Sequence, residues 1–286
     1  MNQELFNEIE REGYAVLKNI IDPNLIRECE QLAKKDWDVH PDDFIIQKNR
    51  QNKFLVMPKL INVLMHEKID SMCRMFLGDE YRYDHLVFMR GEVKRGKIKK
   101  TGTIYDIEDL HGGPFSNGGT NFYLDNMPMD KPFPRTGRLN IGIPFTPCNA
   151  KIGGPQILPR THLDKDLVTY GHPKGLGGVS EEWIEKWRSK GNEIVIPSLA
   201  IGDVFIFIDS LVHGTSKHTR QRMTCYAMAC PSFVQLTHWE ISGKKYLEHC
   251  TTEEQKSRFW HPFWFDINTQ THKATNRKKM FLSKGL

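Results

Sequence analysis

The sequence predicts a mainly β protein with helices (α+β), in which N-terminal helices flank a barrel or sandwich. Two observations lead to this fold class. Helical periodicity dominates the first 80 residues, and short apolar segments separated by turn residues follow one another after residue 80. Closed arrangements of such strands include jelly rolls and cupins. At 286 residues the chain is long enough for one elaborated domain, which we expect to span residues 1–286.

The flank at residues 1–80 carries two predicted helices and a strand. Residues 22–37 open with Asp and Pro, a common start for a helix, and their apolar residues recur at helical spacing. A second helix is predicted at about residues 59–77, and residues 13–21 are predicted to form a strand. The helix at 22–37 is amphipathic and is therefore expected to pack on another part of the protein.

Residues 81–232 form the predicted barrel core. A helix capped by Ser180 is expected as an insertion at about residues 180–191. Residues 233–286 are expected to cover the barrel, and Trp260 or Phe263 could line its mouth. Strands are expected at residues 81–93, 137–145, 192–197, 203–209 and 222–230.

Composition and charge exclude several classes of protein. No apolar run approaches the roughly 20 residues that cross a bilayer, and the N-terminus lacks a signal-peptide pattern, so we expect a cytoplasmic protein with no membrane partner. The six cysteines show no CxxC spacing and are expected to be buried free thiols. The net charge of +5 is spread out, apart from basic runs at 94–100 and 276–279. This pattern argues against nucleic acid and favours an acidic small molecule as substrate.

The strongest local signal for chemistry lies in residues 202–223. A strand of alternating bulky residues is predicted to end at His213, and a new strand opens near Arg222. Upstream, His111 lies in a glycine-rich stretch where backbone can approach a ligand closely. Two histidines from distant strands would supply two of the three ligands of a non-haem iron site, but Gly113 stands where the carboxylate is expected.

Several segments together resemble the phytanoyl-CoA dioxygenase family of iron(II)- and 2-oxoglutarate-dependent oxygenases. The resemblance implies a double-stranded β-helix (jelly roll, cupin-like). It also implies oxidation of an unactivated C–H bond in a small-molecule substrate with iron(II), 2-oxoglutarate and O2. The segments that carry it are YDHLVFM at 83–89, LHGGP at 110–114, IGGPQILPRTHL at 152–163 and GDVFIFIDSLVHGT at 202–215, followed by Arg222.

The resemblance also assigns roles to individual residues. His111 and His213 resemble the two iron-binding histidines. Arg222 resembles the arginine that binds the distal carboxylate of 2-oxoglutarate, a role that suits the planar fork of a guanidinium. Thr215 resembles the hydroxyl residue that shares this carboxylate, and Arg220 competes with Arg222 for the arginine role.

Gly113 departs from the pattern of a hydroxylase and resembles the metal motif of iron-dependent halogenases, in which chloride occupies the position left by the carboxylate. Asp109, Asp125 or water could instead complete the metal site. Hydroxylation-type oxidation is favoured slightly over halogenation, and chloride is a cofactor only for the latter. A catalytically silent barrel that binds a ligand or partner is the remaining alternative.

Four further residues in these segments are expected to have structural roles. Asp203 is expected to shape the turn before its strand. Three histidines are expected to be structural or to support the site from a distance, without binding metal: His85, His162 and His218.

Overall fold

The computed structural model describes residues 3–39, 45–47, 50–91, 105, 110, 138–164, 179, 181–232 and 243–260. The helices are α1 (Gln3–Glu12), α2 (Pro23–Val39), α3 (Lys59–Leu64), α4 (Glu67–Leu77), α5 (Glu181–Ser189), α6 (Gly243–Leu247) and α7 (Glu253–Phe259), with a short 3₁₀ helix at Thr161–Leu163. The strands are β1 (Tyr14–Leu17), β2 (Ile45–Gln47), β3 (Arg50–Lys53), β4 (Arg82–Gly91), β5 (Leu139–Pro144), β6 (Pro155–Ile157), β7 (Val204–Ile208), β8 (His213–Thr215) and β9 (Arg222–Cys230).

The strands form two sheets that share one buried cluster. A seven-stranded antiparallel sheet has the order β1-β7-β5-β9-β4-β3-β2, and β6 pairs with β8 in a second sheet. Ile157 of β6 packs in one cluster with Phe205 and Phe207 of β7. The side of the large sheet that carries these rings therefore faces the small sheet, and we call it the inner face.

The outer face of the large sheet is covered by the N-terminal helices, as the amphipathic pattern predicts. Ile141, Ile206 and Ala227 on three neighbouring strands belong to the same buried cluster as Ile26 of α2 and Phe76 of α4. Since successive residues of a strand point to opposite faces, the even-numbered residues of β9, beginning with Arg222, lie on the inner face.

Several predicted elements differ from those in the structure. The helix predicted at 59–77 is two helices, because His66 interrupts it and its Nδ1 accepts a hydrogen bond from the Lys68 N–H at 3.3 Å, which caps α4. The strand predicted at 192–197 is wrong, since within this segment only Val195 forms an isolated bridge, to Ile157. The short strands β2, β3 and β6 were not predicted.

The predicted strand ending at His213 is the most consequential error. β7 ends at Ile208, and the Leu211 N–H donates to the Ile208 carbonyl at 2.9 Å, which closes a turn. Asp209 and Ser210, two good turn residues, occupy the bend. His213 therefore begins β8 in the second sheet, and the chain crosses from one sheet to the other just before it.

The remaining expectations concern the cysteines, the membrane and the C-terminal segment. All six cysteines are free and buried, as predicted. No helix in the described part of the chain is long and apolar enough to cross a membrane. Trp260 is half-exposed next to Phe259, which packs into the cluster on the outer face. Outside the described residues lie Ser180, Phe263 and the basic runs at 94–100 and 276–279.

Candidate active site

His213 is held in an orientation suited to a metal ligand. It pairs with Ile157 in the small sheet, and its ring centroid lies 4.7 Å from that of Phe207. Its Nδ1 lies 2.7 Å from the carbonyl oxygen of Leu211. Because a carbonyl can only accept, Nδ1 carries the hydrogen, and Nε2 is the nitrogen whose lone pair can bind a metal.

The backbone before His213 is fixed by the side chain of Thr161, which is fully buried. Its hydroxyl donates to the Leu158 carbonyl at 2.7 Å and accepts from the Val212 N–H at 2.8 Å. The Leu158 N–H donates in turn to the Val212 carbonyl at 2.9 Å. These bonds tie the residue that precedes His213 to the loop after β6.

The same loop is attached to the N-terminal helix through His162. Its Nε2 lies 2.9 Å from the Glu10 carbonyl oxygen, which therefore accepts a hydrogen bond from the ring. Burial lowers the pKa of His162 to about 4, so the imidazole is neutral near pH 7. His162 thus makes a structural contact, in keeping with its expected role.

The other predicted ligand, His111, lies outside the described residues, but the residue before it is described. Leu110, which precedes it in sequence, is 2% exposed and belongs to the same buried cluster as Val212, which precedes His213. The residues just before both predicted ligands therefore pack into one cluster. Within the described ranges, no group of three or more His, Cys, Asp or Glu residues could hold a metal ion. Four residues of the predicted metal site lie outside these ranges: His111, Gly113, Asp109 and Asp125.

Arg222 is buried at the beginning of β9 and is 4% exposed. Its Nη1 is buried and has no hydrogen-bond partner among the described residues. The Arg222 guanidinium lies close enough to Cys148 to affect its pKa. Burial raises the pKa of the Cys148 thiol, and the positive charge of Arg222 offsets part of that rise. The competitor Arg220 is exposed, with its Nη2 3.4 Å from the Pro147 carbonyl oxygen. Burial therefore distinguishes the two arginines in favour of Arg222.

Two further buried polar residues lie between His213 and Arg222 in the sequence. Thr215 is 9% exposed, and its side chain shares a face of β8 with that of His213, two residues before it. His218 is 8% exposed and lies against two glycines, Gly91 and Gly153. We call Arg222, Thr215 and His218 the arginine end.

A second group of polar residues occupies the opposite end of the inner face. Asn140 donates to the Asp209 carboxylate at 2.8 Å, and the His85 Nδ1 lies 3.1 Å from the Asp84 carboxylate. Burial by itself lowers the pKa of the Arg138 guanidinium, but a neighbouring thiol and the carboxylates of Asp209 and Asp84 raise it above its usual value. We call these five residues the polar end.

The candidate metal ligand lies between the two ends, since Thr215 of the arginine end follows it by two residues on the same strand. Asn140 pairs across the sheet with Phe207, whose ring contacts His213, and on its other side with Met228 of β9. Arg222 and Met228 are six residues apart on β9, which corresponds to about 20 Å along an extended strand. A ligand that contacts His213 can therefore extend towards one end or the other.

Sequence reasoning missed most of the polar end. Arg138 and Asn140 are alternate polar residues at an otherwise apolar strand, and Asp209 ends the apolar run FIFI. This alternation is a usable signal, because polar residues at every second position share one face. Nothing in the sequence alone shows that these residues lie next to Asp84 and His85, since that depends on the strand order.

The two facing sheets with helices on the outer side define a double-stranded β-helix of the jelly-roll class. EctD from S. alaskensis, solved with 2-oxoglutarate and 5-hydroxyectoine, aligns with 83% of this chain and 78% of its own, with a TM-score of 0.59 and 16% identity. HygX from Streptomyces hygroscopicus, solved with nickel, 2-oxoglutarate and hygromycin B, aligns with 82% of this chain and 88% of its own, with a TM-score of 0.56 and 12% identity.

The epimerase SnoN, solved with Fe3+, α-ketoglutarate and nogalamycin RO, is also similar: 80% of this chain and 83% of its own are aligned, with a TM-score of 0.55 and 16% identity. No curated protein matches the sequence. The profile of the phytanoyl-CoA dioxygenase family matches residues 9–224. The chain belongs to this family, and it is by class an iron(II)- and 2-oxoglutarate-dependent oxygenase.

Proposed function

We propose that the protein oxidises an unactivated C–H bond of a small-molecule substrate, with His111 and His213 as iron ligands and Arg222 and Thr215 as the anchor of 2-oxoglutarate. The observation that carries this proposal is the buried guanidinium of Arg222, whose Nη1 has no partner among the described residues. It lies on the inner face of the sheet that also contacts His213 through Phe207.

The arginine end fits a carboxylate. A buried charge without a counter-charge costs several kcal/mol, and within the described part of the chain Arg222 forms no ion pair. A carboxylate supplies the opposite charge and acceptors that a guanidinium fork can bind with two hydrogen bonds. The hydroxyl of Thr215 can donate a further bond to the same group.

The surroundings of His213 fit an iron ligand. The Leu211 carbonyl fixes the tautomer of His213, and Thr161 holds the preceding residue, so Nε2 keeps one direction. Iron bound here would activate O2 and 2-oxoglutarate for attack on a C–H bond. Phe207 packs on the imidazole and keeps water from that side. The protein thus supplies ligand geometry, a carboxylate anchor and an apolar wall.

A metal and cofactor titration tests the proposal without a known substrate. Iron(II) and 2-oxoglutarate added without oxygen should give a weak visible charge-transfer band. His213→Ala should abolish the band, whereas His249→Ala should keep it, because His249 is exposed outside the site. A wild-type protein that stays colourless and binds neither compound would favour the silent barrel instead.

Hydroxylation-type oxidation is the proposed outcome, and halogenation is the second candidate because Gly113 offers no carboxylate to the metal. Product mass in the presence of chloride or bromide separates the two. If halide is incorporated, Gly113→Asp should abolish its incorporation while iron binding persists, since the new carboxylate takes the halide position. A variant that halogenates as before would show that Gly113 does not determine halide binding.

The proposed substrate is a small molecule, and an acidic one is favoured by the basic run at 94–100. The complexes of EctD with 5-hydroxyectoine and of HygX with hygromycin B support a small polar compound. The polar end can face such a compound, since Asn140 pairs with Phe207 beside His213. Turnover of 2-oxoglutarate to succinate, followed over a panel of small acids and amines, would identify the class.

A further inference from the structure

We propose that His218 is a specificity-determining residue for the co-substrate, donating a hydrogen bond to the distal carboxylate of 2-oxoglutarate beside Arg222. This inference rests on the proposed function, in which Arg222 anchors that carboxylate. It makes the arginine end selective for a keto acid that carries a second carboxylate over one that carries a methyl group at the same position.

The strand register places His218 next to Arg222. Gly91 is the direct partner of Arg222 in the antiparallel pair of β4 and β9. Directly paired residues point to the same face of a sheet, with their Cβ positions about 4.5–5.5 Å apart. A Cβ on Gly91 would lie 2.7 Å from both Cδ2 and Nε2 of His218. The imidazole therefore lies on the inner face, within about 8 Å of the Arg222 Cβ, as the sum of these distances gives.

A second glycine closes the other side of the ring. A Cβ on Gly153 would lie 2.6 Å from the His218 Nδ1 and 3.1 Å from its Cα. Gly153 also has φ +94°, a left-handed conformation that favours glycine. The imidazole thus fits between β4 and the turn that precedes β6 because both neighbours lack a side chain.

The segment that carries His218 is attached on both sides. The Ser216 N–H donates to the Gly154 carbonyl at 3.0 Å, and the Gly154 N–H donates to the Ser216 hydroxyl at 2.9 Å. The Thr219 N–H donates to the Ile152 carbonyl at 3.2 Å. These bonds lie on either side of His218 and fix the backbone of the short loop between β8 and β9 that carries it.

The chemistry of a carboxylate leaves room for this donor. A carboxylate has two oxygens with about four acceptor positions, of which a guanidinium fork uses two and a hydroxyl one. An imidazole N–H can occupy the fourth and strengthens the match to an anion. A keto acid without the second carboxylate makes none of these bonds. The hydrogen bond from His218 should therefore strengthen the binding of the dicarboxylate alone.

The test compares two keto acids on the manganese(II)-loaded protein, by calorimetry without oxygen. His218→Phe keeps a planar aromatic ring, somewhat larger than the imidazole, and removes the donor, so it should weaken 2-oxoglutarate binding about 10-fold, the effect of one hydrogen bond to a charged group. It should leave 2-oxopentanoate, which lacks the distal carboxylate, unchanged. His218→Gln restores a donor and should return the 2-oxoglutarate affinity to within about 3-fold of wild type.

A merely structural ring predicts a different pattern. Equal weakening of both keto acids, or no weakening of either in His218→Phe, would overturn the assignment. Gly91→Ala supplies a second variant, because its new Cβ displaces the ring while the imidazole remains. It should lower 2-oxoglutarate affinity and spare 2-oxopentanoate, and unchanged affinity for 2-oxoglutarate would count against His218.

Failure of the proposed function would look different again. In that case the wild-type protein would not bind 2-oxoglutarate, or Arg222→Gln would bind it as well as wild type. Wild-type binding that is lost in Arg222→Gln and kept in His218→Phe would overturn the role of His218 alone.

Discussion

Arg222 and Arg138 are both buried on the inner face of the large sheet, 4% and 8% exposed, yet their charges are balanced in different ways. Arg138 at the polar end has the carboxylates of Asp209 and Asp84 close enough to raise its pKa against the effect of burial. Arg222 forms no ion pair with any described residue, and its buried Nη1 has no hydrogen-bond partner among them. One arginine is balanced by the protein, whereas the other is suited to an anion from outside.

This difference separates stability from binding within one sheet. A buried charge that the protein itself compensates belongs to the folded core, and removing it leaves its partners uncompensated. A buried charge that the protein does not compensate costs stability unless a ligand arrives, which is typical of a binding site. Substitutions at the two ends should therefore have opposite consequences for the free energy of unfolding and for 2-oxoglutarate affinity.

The largest effect is expected for Arg138→Leu. It leaves the buried carboxylate of Asp84 and the half-buried carboxylate of Asp209 without their neighbouring cation, which should lower the free energy of unfolding by about 3–5 kcal/mol. Urea denaturation measures this loss. The affinity of the folded protein for 2-oxoglutarate should stay within about 2-fold of wild type, a margin within the usual scatter of single substitutions. A large loss of affinity with little loss of stability would break the proposed division.

Arg222→Ala should give the opposite result. Binding of 2-oxoglutarate should weaken about 100-fold, because a bidentate charge-assisted pair is lost. The free energy of unfolding should change little or rise, since an uncompensated buried charge is removed. Arg220→Ala is the matched control, because Arg220 is exposed and should leave affinity intact. If instead Arg220→Ala loses affinity and Arg222→Ala keeps it, the anchoring role belongs to Arg220.

The contrast between the two ends also shows what could be read from the sequence. Helices α2 and α5 follow from apolar periodicity and capping residues, and Arg222 at the start of β9 follows from the polar turn before it. Both signals depend only on nearby residues in the sequence, so the packing of the fold does not change what they predict. The break at His66 between α3 and α4 was missed, since one histidine capping a helix resembles a histidine within one.

Properties that depend on strand order could not be predicted. The crossing from β7 to β8 before His213 is decided by a turn and by pairing with β6, a strand of three residues that has too little pattern to be recognised. Likewise, Arg138 lies close enough to Asp84 to interact with its charge only because β9 brings β5 and β4 together in the sheet. The candidate ligand and the anchor were therefore visible as residues, whereas the polar end was not.

A smaller effect is expected for Thr161→Val, which tests whether the backbone before His213 must be fixed. The substitution keeps the shape but removes the hydroxyl that joins Val212 to Leu158, so iron(II) affinity should fall about 10-fold, as for other residues that orient a metal ligand. Thr161→Ser should retain most of the affinity. Iron titration of both variants measures this, and equal affinities would show that His213 needs no such support.

The smallest effect is expected at Asp203, a buried carboxylate at the start of β7 that belongs to neither end. Burial would raise the pKa of Asp203, but hydrogen bonds from the Ala200 and Asn19 N–H groups and from Lys18 outweigh it and hold the pKa below its usual value. Because the folded-state pKa is depressed, this carboxylate stabilises the fold fully above the ordinary aspartate pKa of about 4. The contribution disappears as pH falls through the lower folded-state value.

Asp203→Asn should therefore reduce the free energy of unfolding by about 1–2 kcal/mol at pH 7. The difference in unfolding free energy between wild type and Asp203→Asn should shrink below about pH 4. Since the site lies outside both ends, 2-oxoglutarate affinity should be unaffected, and a loss of affinity in Asp203→Asn would mean that destabilisation alone can imitate the effect expected of Arg222→Ala.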